Sequence, residues 1–304
     1  MSSIKEFFFG SLTTDLSVAN LFVLGIPWDA SSSYRKGASK APSYIRQSTT
    51  NKLFNPYTEL KTNLMDKWRI FDGGDVEFSE FNPINARNEV LKVLRNFLDD
   101  REIHQFLFLG GDHLTTYFSV YSLAKLNIFH PENVGIVYLD SHPDLYDDYE
   151  GNKHSHACVL RRIIDETEID PTNVVQVGIR APTPEQLEYA AEFGILIIST
   201  PEFQRYGAAK TLSKIKNHFK EKIDYTYLSI DLDVIDPAYA PGLGNPQPGG
   251  ISTREIIDFI HELSDLPLFA VDIVEFCPNH DYSGVTAFLA AKLIQETLGI
   301  MKFR

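Results

Sequence analysis

GIVYLDSHPDLYDDYEG, residues 135–151, is the stretch from which the fold is read. A continuously apolar, β-prone run stops at Asp140 and is followed at once by Ser141, His142, Pro143 and Asp144. A strand buried on both faces reads this way, and in parallel α/β sheets ligands gather just beyond the carboxyl ends of the strands. Residues two apart in extended backbone point the same way, and Pro143 favours an extended His142. Asp140, His142 and Asp144 are therefore expected to converge on one point.

Similar runs recur along the chain: LFVLG from Leu21, WRIFD from Trp68, QFLFLG from Gln105, VGIVYL from Val134, VVQVGI from Val174, GILIIS from Gly194, YTYLSI from Tyr225 and LFAVDIV from Leu268. Between them lie segments with apolar residues at helical spacing, such as INARNEVLKVLRNFLDD from Ile84, TREIIDFIHEL from Thr253 and GVTAFLAAKLIQETLG from Gly284. Thr183 followed by Pro184 marks a helix start. This alternation predicts an α/β fold with a mostly parallel eight-stranded sheet, and one domain over residues 1–304. Periodicity alone leaves a closed barrel and an open sheet both standing.

Two further strand ends repeat the pattern at 140. Asp231 and Asp233 follow the run at 225, and His113 follows the run at 105 through a Gly-Gly turn. Four carboxylates in one partly desolvated site repel one another and would take up protons. Two divalent cations offset those four charges, and an oxygen-rich donor set with some imidazole and no thiolate favours Mn²⁺ over Zn²⁺.

Composition narrows the function classes. The chain of 304 residues has 41 acidic and 28 basic side chains, a net charge of −13, which disfavours nucleic acid as a partner. No apolar run approaches the ~20 residues that span a bilayer, so no membrane association is expected. The apolar patch in MSSIKEFFFG is too short for a signal-peptide core. With only Cys158 and Cys277, a disulfide framework is not expected, and a reducing, cytoplasmic location is. Both thiols are expected to be small buried side chains.

GGDH at 110–113, DSHPD at 140–144 and SIDLDVIDPAYAPGLGNPQPGG at 229–250 resemble, in order and separation, the three signatures of the ureohydrolases, the arginase and agmatinase family. GIPWDASSSYRKGASKAPSYIR at 25–46, SHACVLRRI at 155–163, GIRAP at 178–182 and VDIVEFCPNHD at 271–281 extend the likeness over nearly the whole chain. The resemblance implies a three-layer α/β/α domain, a homo-oligomer (trimer or hexamer), and hydrolysis of a small cationic guanidino compound to urea and an amine. It implies two Mn²⁺ ions, with His113 and Asp144 on one, His142 and Asp233 on the other, and Asp140 and Asp231 bridging. It also implies that Asp144 and His156 relay a proton to the leaving amine and that Glu275 pairs with the guanidinium. His154 is the alternative to His156, but the register of SHA followed by the arginines favours His156. Ser141 and Leu114 depart from the family's usual Ala and Ser, with second-sphere hydrogen bonds as the expected consequence.

Agmatine, giving putrescine and urea, is the expected substrate. The segment LYDDYEGNKHS places Asp147, Asp148 and Glu150 where they would favour a cationic or neutral tail if they line the entrance. The segment also resembles that of archaeal-type agmatinases, with Tyr146 where arginases carry an Asn. Guanidinobutyrate, arginine and formiminoglutamate are the alternatives within the family. A silent polyamine-binding or assembly subunit, and a single-metal deacetylase on a related fold, are alternatives from other classes. Asp236 is expected to shape its loop, and Arg161, Arg162 and Arg180 to be ion-pair partners.

Overall fold

The computed structural model describes residues 7–98, 105–219 and 223–303. Eight strands form one open, wholly parallel sheet. They are β1 Leu21–Gly25, β2 Ile70–Asp75, β3 Phe106–Leu109, β4 Val134–Leu139, β5 Val174–Ile179, β6 Leu196–Ser199, β7 Tyr225–Asp231 and β8 Leu268–Val274. Their order across the sheet is β2-β1-β3-β8-β7-β4-β5-β6, which rules out the barrel. The helices are α1 Ala41–Ser48, α2 Leu64–Lys67, α3 Pro83–Leu98, α4 Leu114–Lys125, α5 Val159–Thr167, α6 Pro184–Phe193, α7 Thr200–Phe219, α8 Thr253–Glu262 and α9 Val285–Ile300.

The inner strands are mostly apolar because they feed two cores, whereas β2, IFDGGD at the sheet edge, is largely half-buried. Along β4, Val134, Ile136 and Tyr138 pack on one face, with Val90, Phe118 and Ile163 of α3, α4 and α5. Val137 and Leu139 turn to the other face, with Ile45, Ile215, Ile260 and Ile294 of α1, α7, α8 and α9. The two-residue period of a strand thus produces the three layers.

All eight predicted runs contain a strand, and the boundaries shift where a side chain has another partner. Trp68 precedes β2 because its buried indole N–H donates to the carbonyl of Leu298 at 2.9 Å. The helix predicted from Ile84 begins at Pro83, and Asp99 and Asp100 lie outside the described residues. So do residues 1–6, while Phe8 and Phe9 of the N-terminal apolar patch are buried. Thr183 caps α6 reciprocally with Gln186. Among the described residues no helix is long and apolar enough to cross a membrane.

Candidate metal centre

Four adjacent central strands, β3, β8, β7 and β4, bring their carboxyl ends together. His113 follows β3, Glu275 follows β8, Asp231 ends β7 with Asp233 just beyond, and Asp140, His142 and Asp144 follow β4. Gly111 is needed in the β3 turn because a Cβ there would lie 1.8 Å from the carbonyl oxygen of Trp28. The adjacent Asp112 amide donates to that same carbonyl at 2.7 Å, so the passing strand of chain fixes where His113 starts α4.

The two-residue spacing of the aspartates has a different cause from the extended backbone expected. Asp140 Oδ1 accepts the amide of His142 at 2.8 Å, and Asp231 Oδ1 accepts the amide of Asp233 at 2.6 Å. Each first aspartate closes a tight turn on itself and swings the side chain two residues on back toward it. Beyond His142 the chain bends again, with Asp144 at φ +51°. Glu275, at φ +60°, is likewise left-handed, a strain of order 1–3 kcal/mol of the kind that gathers at functional sites.

The turns leave one oxygen of each first aspartate for the centre. His113 Nδ1 lies 2.8 Å from Asp231 Oδ2, 3.1 Å from Asp140 Oδ2 and 3.4 Å from Asp144 Oδ2. His142 Nδ1 lies 3.5 Å from Asp140 Oδ1 and 3.8 Å from Asp233 Oδ2. His113, Asp140 and Asp144 form a buried donor group able to hold a metal ion. Asp140 Oδ2 and Asp233 Oδ1 are buried with no hydrogen-bond partner.

The electrostatics of the site suit a bound cation. Burial, and then the charge of neighbouring carboxylates, pushes Asp144, Asp231 and Asp233 well above the usual carboxylate range. Burial also works against the charge of Asp140, but contacts with His113 and His142 outweigh it and hold that carboxyl well below the range. Burial alone would lower His113, yet Asp140 and the other carboxylates push it up to about 9. These residues fit a pair of divalent cations.

Beneath these imidazoles and carboxylates, Tyr138 of β4, Ser229 of β7 and Asp272 of β8 stand in register. His113 Nε2 is 2.9 Å from Ser229 Oγ, which donates to Asp272 Oδ1 at 2.8 Å, an arrangement that leaves Nδ1 of His113 for the centre. Tyr138 stacks on the His113 ring and donates to Asp144 Oδ2 at 2.7 Å. None of these three was singled out from sequence. Their signals were positions two before Asp140 and two before Asp231, and a lone aspartate inside the apolar run LFAVDIV.

Glu275 Oε1 accepts the His113 amide and contacts His156 Nδ1, both at 2.8 Å, while Oε2 faces Gly244, where even a Cβ would stand 3.0 Å away. Burial opposes the charge of both partners, but the pair raises His156 and lowers Glu275. His156 Nε2 accepts the Ser33 amide at 3.1 Å. His156 lines the cavity over the centre, whereas His154 is packed near Tyr117.

Several expectations need correction. The acidic residues 147, 148 and 150 do not line the cavity; Tyr146 and Tyr149 do. Asp147 is bound by Arg162 at 2.9 Å, and Asp148 accepts the Gly151 amide. Arg162 and Arg161 make ion pairs, but Arg180 makes none among the described residues and donates to backbone carbonyls. Asp236 does shape its loop, accepting the amides of Ala238, Gly249 and Gly250. Leu114 is buried in the core, while Ser141 Oγ sits 3.0 Å from His142 Nδ1. Cys158 and Cys277 are buried, and burial pushes both thiols up to about 12.

A parallel α/β sheet with imidazoles and aspartates caged at its carboxyl end is the architecture of a metal-dependent hydrolase. The chain belongs to the arginase family, whose model matches residues 19–299, and it is a ureohydrolase. It is 32% identical to the proclavaminate amidinohydrolase of Streptomyces clavuligerus over 92% of this chain and 87% of that one. It is 28% identical to the agmatinase of Chromobacterium violaceum over 99% and 89%. The solved agmatine ureohydrolase of Thermoplasma volcanium superposes with a TM-score of 0.82 at 30% identity, covering 98% and 94% of the two chains.

The electrostatics make stability without metal depend on pH. A raised folded-state pKa stabilises while the group is protonated and is lost as pH rises through it. Asp144, Asp231, Asp233 and His113 are all raised, so all act in one direction. In chelator, the melting temperature is expected to fall as pH rises from 6.5 toward about 9. Saturating Mn²⁺ is expected to raise it by several degrees and remove that slope, since about 100-fold excess over Kd adds about 2.7 kcal/mol per site. A metal-independent melting curve would contradict the cage.

Proposed function

We propose that the protein hydrolyses a guanidino compound whose far end carries no carboxylate, with agmatine, giving urea and putrescine, the first choice. The observation that carries this is the cavity wall. Asp144, Asp231, Asp233 and Glu275 line it with neutral groups such as Gln186 and Asn245, and no lysine or arginine does among the described residues. A substrate carboxylate would find no lysine or arginine to pair with there, and a cationic tail faces carboxylates and neutral groups. The names of the Chromobacterium and Thermoplasma relatives support the same choice.

In this proposal His113 and Asp144 would hold one Mn²⁺ and His142 and Asp233 the other, with Asp140 and Asp231 serving both. The unpartnered Asp140 Oδ2 and Asp233 Oδ1 support the assignment. Two dications held there would supply a nucleophile near neutral pH by lowering the pKa of water. Glu275 holds the planar guanidinium through a charge-assisted pair and presents its carbon toward the aspartates. Asp144 takes a proton at its carboxylate, and His156 carries one to the leaving nitrogen through its imidazole.

Urea release from agmatine, guanidinobutyrate and arginine, each with Mn²⁺, tests the substrate. Agmatine is expected to lead in kcat/KM by about tenfold or more. Preference for either carboxylate-bearing substrate would refute the choice of agmatine. No urea from any of them would favour a silent polyamine-binding subunit.

A further inference from the structure

One half-buried guanidinium spends its donors on main-chain carbonyls. Arg180 follows β5 directly, and its Nη2 donates to the carbonyls of Gln247 at 2.6 Å and Asp233 at 2.7 Å. Its Nη1 reaches the Val234 carbonyl at 3.1 Å, and its Nε reaches Gln247 again at 3.1 Å. Asp233 and Val234 belong to the short turn closed by Asp231, so Arg180 caps the carbonyl end of that turn.

The main chain of the same residue grips the other ligand segment. The amides of Arg180 and Ala181 donate to the Ser141 carbonyl at 2.9 and 3.0 Å, and Ser141 stands between Asp140 and His142. The bond to Gln247 also draws in the far end of the loop that carries Asn245, whose Nδ2 lies 3.4 Å from His142 Nε2. His113 and Asp144 have different supports, Ser229 and Tyr138, and no hydrogen bond to Arg180. The strand order sets Arg180 beside the end of β4 and away from β3, which carries His113.

We infer that Arg180 is a positioning residue for one of two metal positions, the one bounded by His142 and Asp233, and sets its affinity separately from that of the His113–Asp144 position. This rests on the two-metal proposal above. A planar fork with five fixed donors serves three carbonyls at once, whereas a lysine ammonium on a flexible stem does not hold that geometry.

The test strips wild type, Arg180→Lys and Arg180→Gln of metal, titrates each with Mn²⁺, counts bound ions, and follows spin coupling between them by electron paramagnetic resonance. Wild type is expected to take two ions and show the coupled spectrum. The lysine variant is expected to keep one ion at near wild-type affinity and to bind the second about 10- to 100-fold more weakly. Its spectrum at intermediate Mn²⁺ is then that of an isolated ion. Should the glutamine variant not fold, the lysine variant, which keeps the charge, carries the test. Asp236→Asn is the contrast. The Asp236 carboxylate orders the same loop through Ala238, Gly249 and Gly250 without touching Asp233 or Ser141, and this variant is expected to keep both ions. Unchanged binding of both ions in the Arg180 variants, parallel loss of both, or loss of the same ion in Asp236→Asn would overturn the inference. Wild type holding fewer than two ions would overturn the two-metal proposal and the inference with it.

Discussion

Replacing Asp231 by asparagine is expected to cut turnover by more than about a hundredfold and to leave the protein short of manganese, since loss of a mere outer-sphere partner already costs about 10- to 100-fold. The substitution is close to isosteric, so the fold should survive: an asparagine oxygen can still accept the Asp233 amide, as Asp231 Oδ1 does at 2.6 Å. The loss falls on Oδ2, which lies 2.8 Å from His113 Nδ1 and points into the centre. An amide NH₂ there turns an acceptor into a donor and removes one of four negative charges that two dications need. Metal analysis beside urea release checks this. Wild-type turnover or full metal content in the variant would refute a bridging role for Asp231.

His156→Ala is expected to slow turnover by about 10²- to 10⁴-fold, the usual share of a positioned proton donor, while both ions remain bound. The retention of metal follows from where the ring sits. Its Nδ1 is on Glu275 at 2.8 Å and its Nε2 faces Ser33, so its side-chain contacts avoid the aspartates. The Glu275 pair overrides the effect of burial and raises the His156 pKa, so the protonated, proton-donating form persists to higher pH than an ordinary histidine allows. Wild-type activity should therefore decline on the alkaline side as this proton is lost, and that limb should vanish in the alanine variant. Loss of metal instead would show that the ring supports the centre rather than moving a proton.

The sheet was legible in sequence because strands buried on both faces are largely apolar, a condition that several of the eight runs, such as LFVLG and VGIVYL, met without a break and that the edge strand β2, IFDGGD, met least. The site was legible because chemistry-bearing residues sat where those runs stopped. What failed was inference about direction and partners. The spacing in DSHPD suggested an extended chain, but the carboxylate of Asp140 prefers the amide two residues on and bends it. Acidic residues near the entrance suggested an acidic rim, but Asp147 had Arg162 within reach from a helix fifteen residues away. Arg180 looked like an ion-pair partner until three carbonyls from other loops proved closer than any carboxylate. The last two errors concerned contacts between separate segments of the chain, which local pattern does not encode, and the first a short turn in which a side chain competes for the backbone. Asp272 lay in plain view within an apolar strand, and a buried, unexplained carboxylate there was a signal available from the start.

Anomalous diffraction from crystals grown with manganese, recorded at the manganese edge, tests the central claim most directly. Two peaks are expected about 3.5–4 Å apart, both between the imidazoles of His113 and His142 and each touching Asp140 and Asp231. A single peak, or peaks away from those aspartates, would contradict it.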